Sequence, residues 1–251
     1  MRRIAKSTPC AALERAFEEG FAANPDGGCG IVPESSPTFP PVALHGFISA
    51  SRLTMENDRS TLFPMNEITP NQTRENLLDT AEQLIYQSGI HATGIDLLVR
   101  TSGVARKSLY KYFGTKDELT LEALRRRDIR WMQWYRGEVD KAGSSGARLL
   151  ALFSVLGDWF ASEGFRGCAF INTAGETGDP QDPVRQLAKE HKQKLLDYVV
   201  ELCEAHGIDD PQATGRQLLI LIDGAITVAL VMGDPGAADN AQCMARTLLA
   251  L

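Results

Sequence analysis

Between Arg106 and Lys116 the chain gathers Arg106, Lys107, Lys111 and Lys116 around Ser108, Tyr110 and Tyr112, with no acidic residue until Asp117. Guanidinium and ammonium groups pair with guanine edges or phosphates, and serine and tyrosine hydroxyls donate to phosphate oxygens. A carboxylate among them would face those phosphates. Leu109 and Phe113, four residues apart, share one face of a helix and can anchor it. That leaves Arg106, Lys107, Ser108, Tyr110 and Lys111 on exposed arcs, the division of faces that a helix in a major groove requires. The plain alternative is a solvated basic helix with no partner, and the flanking elements weigh against it.

Those elements read as helices. Leu77, Leu78, Ala81, Leu84 and Ile85 recur at helical spacing from Gln72 onward, and Gly89 ends the run as a C-cap glycine would. Thr93, with Asp96 three residues on, predicts a capping box opening a second helix whose Ile95, Leu98 and Val99 point inward. Ser102-Gly103 supplies a turn, and the basic helix follows from about Arg106 to Phe113. Thr115 with Glu118 predicts another capping box, for a fourth helix running through LTLEALRRRD. A short helix, a glycine turn and a second short helix make a helix-turn-helix. Lys116 falls in a first helical turn, where free N–H groups and the positive dipole end favour an anion.

The whole chain is 251 residues with a net charge of −6, 43% hydrophobic and 23% charged. That is the composition of an ordinary soluble protein. Met65 to Asp128 carries nine basic and nine acidic residues, whereas Ile129 to Leu251 carries eleven and sixteen. The acidity therefore sits in the C-terminal half and does not exclude a nucleic-acid partner for the basic helix. Five cysteines with no CxxC pair give no disulfide framework, the N-terminus has no apolar signal core, and Asp223 interrupts the longest apolar stretch. A cytoplasmic location, with no membrane association, is expected. Residues 1–66, with NPDGGCG and PESSPTFPP, are expected to be a disordered extension. Either they form a functional tail or translation starts at Met55 or Met65.

The stretch from Arg74 to Asp128, centred on TGIDLLVRTSGVARKSLYKYFGTKDEL, closely resembles the DNA-binding domain of TetR-family transcriptional regulators. Gly103 and Val104 of the turn, the Leu109-Tyr110 pair, the aromatic anchor Phe113, and Lys116, Asp117 and Leu119 match that family's pattern in order and spacing. The resemblance implies a homodimer whose two recognition helices read a palindromic operator on double-stranded DNA. It also implies, most often, a repressor released by a small-molecule effector in the C-terminal domain. Carried over by position, base-reading and phosphate contacts fall on Arg106, Lys107, Ser108, Tyr110, Lys111, Tyr112 and Lys116, with Thr93 and Gly94 at the start of the second helix. Val99 and Ser102 stand where alanine is usual, and Gly114 where proline or serine is common. Arg52 and Arg59 in the extension are candidates for a minor-groove arm. The expected fold is all-α, with a helix-turn-helix domain at 67–118 and a helical regulatory and dimerisation domain at 119–251.

In the C-terminal half, Leu149 to Phe160, Val184 to Ala205, Leu218 to Val231 and Ala241 to Leu249 pattern as helices. The segment FRGCAFINTAGETGDPQDPVRQLAKEHK resembles a TetR subgroup with a Gly-Cys-x-Phe-x-Asn pattern. Cys168 is either a small inert core cysteine or a thiol sensor, the latter if Arg166 or a helix N-terminus lowers its pKa. Trp131, Trp134, Phe153, Trp159, Cys168, Phe170 and Asn172 are candidate lining for a ligand pocket, and each is also an ordinary core residue in the plain reading. Asp223 on an apolar helix needs a partner or solvent: a ligand cation, a dimer contact or the wet face. The apolar excess of the last two helices suggests a four-helix dimer interface. His191 lies in a charged EHK run and reads as a solvated face. No HExxH, Walker loop or GxGxxG is present, so neither an enzyme, a metal nor a cofactor is expected. The remaining alternative to a repressor is an activator, or a ligand- or thiol-sensing module on the same fold.

Overall fold

The computed structural model describes residues 70–251, and the expectations placed on residues 1–66, including Arg52, Arg59, Met55 and Met65, lie outside them. Among the described residues there are nine helices and no strand. In order they are α1 (Pro70–Ser88), α2 (Ile95–Ser102), α3 (Arg106–Phe113), α4 (Lys116–Val139), α5 (Ser145–Phe160), α6 (Ala169–Glu176), α7 (Pro183–His206), α8 (Pro211–Met232) and α9 (Ala237–Leu249).

The first three helices fold around the predicted apolar stripe. Leu77, Leu78, Ala81 and Ile85 of α1 are buried with Leu98 of α2, Leu109 and Phe113 of α3, and Leu119, Ala123 and Leu124 of α4. Gly103, at φ +67°, turns the chain between α2 and α3 in the left-handed region that other residues enter at a cost. The capping box at Thr115 forms as expected: its hydroxyl accepts from the Glu118 N–H and Glu118 accepts from the Thr115 N–H, each at 3.1 Å. The one predicted at Thr93 does not. The N-cap of α2 is Gly94, with no side-chain cap, and Thr93 instead donates to the Gly89 carbonyl at 2.7 Å. Thr93 is buried inside the turn, so its hydroxyl closes the 89–93 loop and is one residue too early to cap the helix.

Helix α4 continues for 24 residues, well past the expected domain boundary at 118/119. It packs on α1 and α3 and also on α5 and α7, so one helix joins the two sets. Trp131, Met132, Tyr135 and Val139 extend the stripe at helical spacing and bury it. Beyond α4, the four helices read from sequence are all present, and α6 is an addition. Helix α8 has the length and composition to cross a membrane. Here Leu218, Ile222, Ala225 and Ile226 are buried, and α8 packs against α5, α7 and α9.

Candidate nucleic-acid interface and regulatory core

Helix α3 keeps its two faces apart. Leu109 is fully buried and Phe113 nearly so, with the Arg74 guanidinium 5.3 Å over the Phe113 ring. On the opposite side Arg106, Lys107, Tyr110 and Lys111 are exposed, while Ser108 and Tyr112 are half-buried. The Lys111 ammonium sits 5.4 Å over the Tyr112 ring. Arg106 pairs with Asp96, an exposed residue of α2, so the first cation of the helix is steered by its neighbour. Gly94 is exposed at the start of α2, but Thr93 beside it is buried and offers no side chain to a partner. Lys116 lies at the edge of the same surface, where its ammonium donates to the Ile90 carbonyl at 3.0 Å. Two of its three N–H donors remain for a phosphate.

The 89–91 turn is also held from the other side. Glu176, the last residue of α6, accepts the N–H groups of Ile90 and His91 at 3.0 and 2.9 Å and meets His91 Nδ1 at 3.0 Å. Burial alone would raise the Glu176 pKa, and these donors outweigh it and lower it. A few residues away, Tyr86 of α1 donates to the Gly167 carbonyl at 3.1 Å and accepts from the Arg166 N–H at 2.9 Å. The Arg127 guanidinium covers the Tyr86 ring at 3.6 Å. The segment 166–176 therefore grips α1 and its turn at both of its ends.

Behind α6 lies a buried polar cluster that the sequence pattern concealed. His191 and Asp128, each 2% exposed, meet through Nδ1 and Oδ1 at 2.7 Å, and Lys194 reaches the other Asp128 oxygen at 2.5 Å. His191, expected on a solvated face, is thus in the core. Its sequence neighbours hide this: Glu190 before it is charged and exposed and Lys192 after it is charged and half-buried, while its own side points at Asp128 of α4. Burial opposes ionisation of both groups, but the His191 and Lys194 hydrogen bonds pull the Asp128 pKa down, and Asp128 raises that of His191. The His191 ring stacks on Phe170 at 4.0 Å between centroids and meets the edge of Trp131 at 5.4 Å.

Of the pocket candidates, Trp131, Phe153 and Trp159 are buried in the core; Trp131 stacks on Tyr135 at 4.7 Å, with Trp134 half-buried at their edge. Asn172 donates to the Arg166 carbonyl at 2.8 Å. Phe170 does line a cavity, of about 440 Å³, together with Ile171, Ala174, Ala188, Lys192 and Asp223. Asp223 finds its partner within the chain: Lys192 lies 2.6 Å away. No three His, Cys, Asp or Glu residues among those described are placed to hold a metal ion.

Comparison with known proteins agrees with this geometry. Residues 77–123 match the TetR family of bacterial regulatory proteins, and residues 145–245 match the tetracyclin repressor-like C-terminal domain. The crystal structure of SCO4454, a TetR-family transcriptional regulator from Streptomyces coelicolor, superposes with a TM-score of 0.68 at 34% identity, over 72% of this chain and 90% of that one. The transcriptional regulator YjdC of Escherichia coli is 25% identical over 177 residues, which is 70% of this chain and 93% of YjdC. The transcriptional repressor NemR of Escherichia coli is 30% identical over 123 residues, 48% of this chain and 62% of NemR.

Proposed function

Because the chain belongs to the TetR family and is a DNA-binding transcriptional regulator rather than an enzyme, we propose that it acts in the cytoplasm as a homodimeric repressor, released from a palindromic operator by a small effector. The observation that carries this reading is the two-faced α3, which buries Leu109 and Phe113 and presents Arg106, Lys107, Tyr110 and Lys111 to solvent. Arg106, Lys107 and Ser108 sample base edges; Tyr110, Lys111, Tyr112 and Lys116 hold phosphates; and Gly94 brings the α2 backbone near the duplex. NemR, a repressor, supports the sign of the regulation.

The dimer reading rests on a surface. Ile220, Val231 and Met232 of α8 and Met244 of α9 are 71, 75, 76 and 60% exposed, and Val228 and Leu248 lie beside them in sequence. Large exposed side chains gathered on two neighbouring helices mark an association surface. Pairing α8 and α9 with their copies sets the two α3 helices about one DNA turn apart, roughly 34–36 Å. An effector that prefers a different separation draws the population off the operator.

The test is selection of duplexes from a random pool at fixed, near-physiological salt, with Arg106→Ala/Lys111→Ala as control. Enrichment of one palindrome, lost in the control, is the expected result. A folded dimer that enriches nothing would contradict operator reading.

A further inference from the structure

The cavity of about 440 Å³ has two unlike walls. On α6, Phe170, Ile171 and Ala174 supply an apolar one. On α7, Arg185, Lys189 and Lys192 stand four and three residues apart, so helical spacing sets the three cations on one side of the helix. Asp223 of α8 is the one carboxylate in the lining, and Lys192 pairs with it at 2.6 Å. Arg185 and Lys189 have no acidic partner among the described residues, so three cations against one carboxylate leave a surplus of two positive charges. Like charges at i and i+4 on a helix repel, and an anion between them relieves that repulsion. Cys168, the N-cap of α6, is buried and is not part of the lining.

Size and shape fit a small molecule. The volume falls within the roughly 300–1,000 Å³ of ligand pockets. Gly175, exposed at the edge of the cavity, keeps it open: a Cβ there would meet nothing within 4 Å, and its φ is not positive, so neither packing nor backbone requires glycine at a helical position that glycine weakens. Arg185 joins the cavity to the turn that Glu176 holds. Its Nη1 donates to the Ala174 and Thr177 carbonyls at 2.9 and 3.2 Å and so closes the C-terminal end of α6. Its Nη2 and Nε remain for an anion. Glu176, which grips Ile90 and His91, lies between those two carbonyls in sequence.

We infer that the groove between α6 and α7 is an effector site for a small organic carboxylate, its apolar body on Phe170, Ile171 and Ala174 and its carboxylate on Arg185 and Lys189. The inference rests on the regulator reading above. A guanidinium matches a carboxylate with two parallel N–H donors, and the Lys189 ammonium adds a point charge. Lys192 neutralises Asp223, which would otherwise repel the ligand. A carboxylate held by Nη2 and Nε draws the Arg185 guanidinium toward the cavity and away from the α6 carbonyls. The last turn of α6 then loses the donors that close it, and Glu176 on that turn loosens its grip on the 89–91 segment. The ligand acts through its preference for this loosened state.

The experiment titrates the full chain, without DNA, with 2-naphthoate and then with 2-naphthamide, which has the same body and no charge. The expected result is saturable binding of the acid with a Kd of about 1 mM or tighter, and binding of the amide weaker by about tenfold or more. Arg185→Gln combined with Lys189→Gln should weaken the acid about tenfold and leave the amide nearly unchanged. Should that variant fail to fold, Gly175→Leu, whose side chain enters the cavity without a clash, should weaken acid and amide alike by about tenfold. Failure of the acid to saturate, equal binding of acid and amide, or an acid affinity that the folded variant leaves unchanged overturns the site. With 2-naphthoate bound, the chain should hold its selected duplex more weakly, within the roughly 5- to 150-fold range of effector coupling. Unchanged duplex affinity overturns the effector role. Failure to select any duplex contradicts the DNA reading, and the titrations still decide the site.

Discussion

Lys116 and Glu176 hold the same residue from opposite sides: one donates to the Ile90 carbonyl and the other accepts its N–H, each at 3.0 Å. Lys116 begins α4 and Glu176 ends α6, so the turn before α2 is positioned jointly by the two helices. Glu176→Ala removes the acceptor while leaving α3 untouched. The variant should retain duplex binding in the absence of effector to within a few-fold and lose most of its effector response. Titration of a selected duplex with and without effector measures both.

The proposed function gives the exposed cations of α3 different roles. Lys111→Ala should weaken binding nearly equally across sequences and lower the slope of log affinity against log salt by about one. Arg106→Ala should also flatten preference at one operator position, at roughly 1–3 kcal/mol for the favoured base. Equal changes in specificity for both variants would contradict this division. Asp96→Asn frees Arg106 and should shift preference at that same position.

Asp128 is the centre of the buried polar cluster, and its removal strands His191. Asp128→Asn should cost roughly 3–5 kcal/mol by urea denaturation. The Asp128 pKa is lowered in the folded state, so its contribution is present above its unfolded value near 4 and is lost as pH falls through the folded value. The His191 pKa is raised, so its contribution is complete below about 6.5 and is lost as pH rises through its folded value. The gap between wild type and variant should therefore be widest between about pH 4 and 6.5.

The packing of α3 is open to the same measurement. Leu109→Ala leaves a cavity beneath the recognition helix and should cost about 2–5 kcal/mol. Thr115→Ala removes only a cap and should cost about 1 kcal/mol. Protein that loses duplex binding on Leu109→Ala but keeps the near-ultraviolet signal of Trp131 and Trp159 would place the damage in the first three helices.

Ile220→Asp combined with Val231→Asp puts carboxylates on the exposed apolar face of α8. The double variant should sediment as a monomer with its helical content intact, and its affinity for a two-half-site duplex should fall by at least a hundredfold. A dimer surviving both changes would remove this face from the interface.

The parts of this protein that sequence discloses are those governed by local rules. The stripe through Leu77, Ala81 and Ile85, the turn at Gly103 and the Thr115–Glu118 box each depend on neighbours within a few positions, and each stands where the pattern put it. Thr93 satisfied the spacing rule for a cap, yet burial of its side chain gave the hydroxyl to Gly89. His191 and Asp128 are 63 positions apart, and a charged EHK run around the histidine masked its inward side. Only the residues that α4 and α7 bring together could reveal that pair, and Glu176 was hidden for the same reason, its partners being 85 and 86 positions away. The stretch ahead of it carried no cap or stripe strong enough to announce α6.

The unbroken course of α4 has a mechanical consequence. At 1.5 Å per residue its 24 residues make a rod about 36 Å long, with Lys116 at one tip and Val139 at the other. Pivoted at the Val139 end, the rod carries Lys116 through about 0.6 Å for each degree of tilt. Five degrees amounts to about 3 Å, close to the rise of one base pair along a DNA strand. Asp128, about midway along the rod, moves by only about 1.4 Å in the same tilt, so a displacement at the buried cluster is roughly doubled by the time it reaches the other tip.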